Sequence, residues 1–222
     1  SGFQNILEKV PYYMCRGVSN INYKLVPKVG RNWFLPEKSL DVIESKMLRE
    51  FKIRSTPFLS HIPKNDWEWL ALAQHHGLPT RLLDWTLNPL VSLYFACQGD
   101  FEEDGAIYLC ECLSEVDIFE EESPFNITKT KKWSCHYINE RLASQSGLFT
   151  IATSPLDELR EGVLYCIKIR SFAKKKILKN LDSFGIHHGT IFPSMDGVAK
   201  YITEQNSSLY GYSDLDKLKK KI

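Results

Sequence analysis

Residues 65–97 allow few folds. Asn65, followed three residues later by Glu68, is a capping-box pattern, and Gly77 suits the left-handed residue that closes a helix. Trp69, Leu70 and Ala73 supply the apolar face between them, and Pro79 blocks continuation. Thr80–Trp85 (TRLLDW) then reads as a short extended segment. Asn88-Pro89 restarts a helix, with Asn as N-cap and Pro in the first turn, and Leu90, Val91, Tyr94 and Phe95 are expected to pack it inward. Two capped helices around a short strand do not continue into strict β-α-β alternation. An α+β fold is therefore favoured over a doubly wound sheet.

The flanking sequence fits that class. Residues 12–15 read as a strand ending at Arg16-Gly17, and 18–38 as irregular, broken by Asn20, Asn22, Pro27, Gly30 and Pro36. Ser39 can cap a helix over about 40–52, where Leu40, Ile43, Met47 and Phe51 share a face. Ala106–Leu113 is a strand with few polar breaks, expected inside the sheet. Residues 114–135 are a polar excursion with an acidic run, Glu120–Glu122, and a basic run, Lys129–Lys132. A helix is expected over about 134–143, a strand at Phe149–Ala152, and a short helix from Ser154-Pro155 to Gly162. Val163–Ile169 alternates as a strand does. Ser171 is expected to cap a basic amphipathic helix ending near Gly185, and Ser194 a last helix to about Gln205. A frayed tail, about 206–222, completes a single domain spanning 1–222.

Composition excludes several classes. Lys and Arg number 28 against 27 Asp and Glu, so the net charge of +1 excludes a histone-like binder. No apolar run approaches the ~18 residues of a membrane span, and the N-terminal SGFQNILEKV has no basic then apolar region of a secretory signal. A cytoplasmic protein without membrane association is expected. The six cysteines are scattered, most inside apolar runs, and are read as reduced and buried. A zinc site from Cys110, Cys112, Cys135 and His136 is the weaker alternative, since its C-x-C pair is tighter than usual. No metal site is expected.

Several residues suit chemistry. Arg16 follows an apolar strand and precedes Gly17, where backbone can approach a ligand, and its guanidinium suits a phosphate or carboxylate. A structural ion pair is the plain alternative. His75 and His76 end a helix and can cap its carbonyls. Asp84 is open to three roles: an anchor for a helix N-terminus, a partner of Arg81, or an acid in a cleft. Trp85 is either core or a stacking face, and Thr86 either a cap or a ligand contact. Gln145 offers both donor and acceptor beside Gly147. P-loop, dinucleotide-fingerprint and nucleophile-elbow motifs are missing. The basic runs 129–132, 173–176 and 217–221 read as solvated faces that can touch nucleic acid if they converge.

Four ordered blocks resemble the FRG domain family, named for its Phe/Tyr-Arg-Gly start. They are Cys15-Arg16-Gly17 with Ser19-Asn20, Tyr23-Lys24-Leu25, Pro27 and Arg31; Gln74–Thr86 continuing to Tyr94-Phe95-Ala96; Arg141 to Gln145–Phe149; and Gly189–Pro193 to Asp196–Ala199. Cys15 stands where the family usually has an aromatic, and His76 where an aromatic is common.

The order of these blocks more distantly resembles the ADP-ribosyltransferase fold. That resemblance implies a split mixed or antiparallel sheet flanked by helices, and an enzyme that cleaves the nicotinamide–ribose bond of NAD, its substrate. ADP-ribose would pass to a macromolecule, nucleic acid favoured over protein, in a toxin or phage-defence effector with a candidate antitoxin or chaperone partner. On this reading Arg16, Asp84 and Gln145 are catalytic, with Glu140 a second candidate for the carboxylate that Gln145 lacks. Arg16, Gly17, Asn20, Tyr23, Arg31, Trp85, Thr86 and Tyr94 contact NAD. The other readings are a non-catalytic nucleotide- or nucleic-acid-binding module and a metal-assisted nuclease using Asp84 and nearby histidines.

Overall fold

Alternating strands pair here into one sheet, whose weakest seam positions the site. The computed structural model describes residues 13–31, 37–111, 113–135 and 140–206. Its strands are β1 (Tyr13–Val18), β2 (Leu82–Thr86), β3 (Gly105–Glu111), β4 (Lys131–Trp133), β5 (Gly147–Ile151) and β6 (Val163–Ile169). They lie in the order β4-β5-β2-β1-β3-β6, and every neighbouring pair is antiparallel. The fold is α+β, and mixed pairing is not used: the parallel contact among the described residues is an isolated bridge, Glu115 to Lys132.

The two middle strands barely meet. β1 pairs with β3 from Tyr13↔Glu111 to Val18↔Ala106, and β2 with β5 from Leu82↔Ile151 to Thr86↔Gly147. Between β1 and β2 the pairing is Cys15↔Thr86 alone. Beyond it the strands part, so the sheet consists of two halves hinged at one residue pair.

The helices are α1 (Glu37–Ser55), α2 (Asp66–His75), α3 (Pro89–Cys97), α4 (Glu140–Ser144), α5 (Ser171–Ser183), α6 (His188–Ile191) and α7 (Met195–Gln205). The α2 and α3 caps form as read: Asn65 Oδ1 accepts from Glu68 N at 3.0 Å, and Asn88 Oδ1 from Leu90 N at 2.9 Å. The reciprocal arm at α2 shifts by one residue, Lys64 N donating to Glu68 Oε2. Trp67, Trp69, Leu70 and Ala73 of α2 bury one face of the sheet with Leu82, Phe149 and Ile151. Met14, Leu83, Trp85 and Leu148 fill the opposite face with Leu25 and Leu159. α3 lies tight on β1: a Cβ on Gly17 would fall 1.8 Å from the Ser92 carbonyl oxygen, so glycine is required for helix packing there.

Several expectations need correction. β1 runs through Arg16 and Gly17 rather than ending at them. α1 begins before Ser39 and continues until Pro57 disallows it. Residues 155–161 form turns and irregular backbone rather than a helix: Leu159 is buried and its N–H bonds Leu25 O at 2.9 Å, pulling the segment onto the 25–30 loop. Ser171 does not cap α5; its own N–H donates to Asp104 Oδ1 at 2.7 Å. Leu90 is exposed rather than inward. Lys174, read as solvated, is fully buried and donates to Ser19 O and Asp100 O. The acidic and basic runs of the 114–135 excursion pair with each other through Glu121–Lys131, and Glu115 pairs with Lys132 of the basic run. Residues 136–139 of the helix expected over 134–143, and the tail from 207, lie outside the described residues. No helix among the described residues is long and apolar enough to cross a membrane.

Candidate functional site

The parting of β1 from β2 leaves a cavity of about 300 Å³. That is at the low end of the ~300–1,000 Å³ of ligand pockets. One wall is a helical stripe of α2, Glu68, Ala71, Leu72 and His75, at spacings that put all four on one side. Leu82, Leu83 and Asp84 of β2 form the second wall, and Arg141, Leu142 and Gln145 of the α4–β5 corner the third. Arg16 reaches in from β1, with Lys28 and Arg31 from the following loop. Two shallower depressions, about 240 and 520 Å³, adjoin it: Arg31 borders all three, and Arg16 borders the cavity and the smaller depression. Tyr23 and Lys24 line both depressions, and Gly17 lines the smaller.

Arg16 bridges the split. Its Nη1 donates to Asp84 O at 2.5 Å and lies 3.8 Å from Asp84 Oδ2, while its Nε is buried with no hydrogen-bond partner among the described residues. Such an orphaned donor costs ~1–3 kcal/mol unless a ligand or water meets it. The Arg16 side chain is only 16% exposed. Burial pushes its pKa down from the ordinary arginine value, with Asp84 opposing and Arg31 adding to the shift.

Asp84 is held from the other side. Gln74 Nε2 donates to Asp84 Oδ1 at 2.8 Å, and the Thr80 hydroxyl donates to Gln74 Oε1. The amide is thereby fixed with its donor toward the carboxylate. At the third wall, Thr86 Oγ1 donates to Gln145 O at 2.5 Å, and Gln145 Nε2 donates to Ile191 O at 3.0 Å. The Arg141 guanidinium lies 4.8 Å from the centre of the Phe192 ring, and burial lowers its pKa against the pull of Asp84. Burial, then His76 and Arg141, lower the His75 pKa, which leaves it neutral near pH 7. Four cationic side chains, Arg16, Lys28, Arg31 and Arg141, thus face two carboxylates, Glu68 and Asp84. The lining favours an anion.

Residues 11–105 match the model of the FRG domain. This stretch is an FRG domain match. No curated protein and no solved structure matches it significantly. The FRG match covers β1 through the start of β3 and includes three sides of the cavity, whereas Arg141 and Gln145 come from beyond it.

The expected site residues divide into three groups. Arg16, Arg31, Asp84 and Gln145 line one cavity, and Tyr23 and Gly17 the adjoining depressions. Thr86 is buried and ties β2 to Gln145. Three residues are elsewhere. Trp85 is core, its Nε1 donating to Thr150 Oγ1 at 2.9 Å on the face of the sheet opposite Asp84, so it offers no stacking face. Tyr94 is buried with its hydroxyl 3.1 Å from His188 Nδ1. Asn20 closes a turn with Asn22 and bonds Asp100. Asp84 does not pair with Arg81, which is buried against Glu44 and Asp41. Two members of the zinc alternative, Cys112 and His136, lie outside the described residues, as does the side chain of Glu140. Cys110 and Cys135 belong to different cores, and no cluster of three metal-ligating side chains occurs among the described residues.

Gln74, Lys28 and Arg141 carry no expected individual role in the sequence, and Glu68 and His75 are read there as helix-end residues, yet all five line the cavity. The signal for four of the α2 lining residues was present: Glu68, Ala71, Leu72 and His75 recur at helical spacing beside the apolar Trp69–Leu70–Ala73 face.

Proposed function

We propose that this chain is an NAD-dependent ADP-ribosyltransferase-like enzyme, with the split between β1 and β2 as its NAD site. The observation that supports this most is Arg16. Its cation is nearly buried at the opening of the sheet, with one nitrogen on the Asp84 carbonyl and a buried donor unmet. A guanidinium so placed suits a diphosphate, since its planar fork donates to two oxygens at once. Arg31 borders the cavity and both depressions, which gives an elongated ligand a cationic mid-point.

Departure of nicotinamide leaves positive charge on the ribose. The Asp84 carboxylate, aimed by Gln74, is the group of this chain best suited to stabilise it; removing such a group costs ~3 kcal/mol of transition-state binding. Gln145 keeps a hydrogen-bonding edge in the cavity without charge. The acceptor is proposed to be nucleic acid, and the setting a cytoplasmic toxin or defence effector with an antitoxin or chaperone partner.

Incubation with NAD labelled on the adenylate, in the presence of RNA, DNA and protein, tests the reading. Nicotinamide release with label on a macromolecule supports it. Release without labelling makes the chain a hydrolase. The second reading, a nucleotide-binding module, is favoured by the Gln145 amide being committed to Ile191 O. It is supported by saturable NAD binding without consumption. Neither binding nor release overturns both.

A further inference from the structure

We propose that the outer face of α5 is a docking surface for single-stranded nucleic acid. The inward face of this helix is set by Lys174 and Leu181, both buried, with Leu181 packed against Val91, Tyr94 and Ile191. At 100° per residue, Phe172, Lys176, Lys179 and Ser183 fall on the opposite side, with Lys175 flanking them. Phe172 is 86% exposed, and the three lysines are exposed beside it. Phe101 stands next to this stripe, partly exposed, with Lys175 Nζ 5.4 Å from its ring centre.

Charge on the helix stripe itself is one-sided in a chain whose net charge is only +1, while Glu102 and Glu103 are exposed on the loop that carries Phe101. The acid of α5, Asp182, accepts from Tyr201 OH at 2.7 Å. Asp104, at the helix start, is engaged by Lys168, Arg170 and the Ser171 N–H. Exposed aromatics between lysines with no acidic partner among the described residues fit a strand that offers phosphates and unstacked bases together, because bases stack on aromatic rings whatever their sequence. A duplex hides those bases, and an anionic bilayer offers no ring to stack. The helix packs against the site by its inner face, with the stripe turned outward: Lys174 donates to Ser19 O, and Ser19 and Arg16 line the same depression. Its role in presenting an acceptor rests on the NAD reading, but strand binding does not.

Anisotropy of fluorescent fifteen-nucleotide RNA and DNA strands with the full chain, without NAD, tests it. The triple variant K175Q/K176Q/K179Q should bind at least tenfold more weakly, with a salt dependence shallower by about 2 for three phosphate contacts. F172A should weaken binding severalfold and leave that slope unchanged. Binding of RNA alone or DNA alone identifies the strand and supports the surface. Equal binding by the variants, preference for duplex, or capture of phosphatidylserine vesicles in place of the strands overturns it. R16A should bind the strands as the parent does. Strand binding by a parent that fails to consume NAD overturns the enzyme reading and leaves this surface standing.

Discussion

Arg16 and Asp84 are joined twice, by a 2.5 Å hydrogen bond from Nη1 to the Asp84 main-chain carbonyl and by a 3.8 Å approach to its carboxylate. The first contact spans strands that no longer pair, and the second leaves the carboxylate 63% exposed. Removing the guanidinium therefore strands no buried acid, and it relieves the unmet Nε. Arg16→Ala is expected to lose NAD binding and turnover by at least a hundredfold, with a Tm within a few degrees of the parent. Arg16→Lys should recover little, since a point charge lacks the fork. Nicotinamide release and thermal melts check this together: full activity removes Arg16 from the site.

Gln74 acts on Asp84 rather than on a ligand. Its carbonyl is occupied by Thr80, so its amide donor is committed to Asp84 Oδ1. Gln74→Leu keeps the volume but frees the carboxylate. The expected result is a kcat reduced about tenfold with KM little changed, the pattern of an interaction that matters in the transition state alone. A rise in KM with unchanged kcat would assign Gln74 to ligand binding instead.

Arg81 tests the scaffold. It is buried, with Nη2 2.5 Å from Glu44 Oε2, Nε 3.2 Å from both Glu44 oxygens, and a further bond to Asp41. It ties α1 to the start of β2, the strand that carries Asp84. Arg81→Ala leaves Glu44 buried without its cation and is expected to cost ~3–5 kcal/mol. R81M/E44M, which removes both charges, should lie much closer to the parent. Urea unfolding of the two variants decides it.

Local chemistry explains which parts were legible. The Asn65 and Asn88 caps, the Gly77 turn and the alternation of Val163–Ile169 are settled within a few residues, and they formed where expected. What the sequence hid depends on distant partners. Asp104 supplies the acceptor at the start of α5, so Ser171 is not needed as its cap. Leu159 is drawn to Leu25, so residues 155–161 do not coil. The side of Gly17 where a side chain would stand is filled by Ser92, while its backbone lines the smaller depression. Trp85 and Asp84 are adjacent, and a strand sends neighbours to opposite faces, so of the two only Asp84 lines the cavity. Gln74 was hidden because its role appears only once Thr80 and Asp84 are in place.

Asp104 gives the fold a defined acid response. Lys168 at 2.9 Å and the Ser171 N–H at 2.7 Å hold its pKa down at about 2, with Arg170 adding to the effect. An unfolded aspartate titrates near ~3.9. Because the folded value is the lower one, the contribution of this carboxylate is complete above about pH 4 and is lost as pH falls toward 2. Asp104→Asn keeps an acceptor for the Ser171 N–H but carries no charge to lose. The parent's Tm should therefore fall more steeply than the variant's between pH 4 and 2, with the gap between them narrowing toward the acid end. Melting curves across that range at fixed ionic strength make the comparison. Parallel curves would show that Asp104 titrates in the folded chain as it does in the unfolded one, and that the α5 start is held by the hydrogen bond alone.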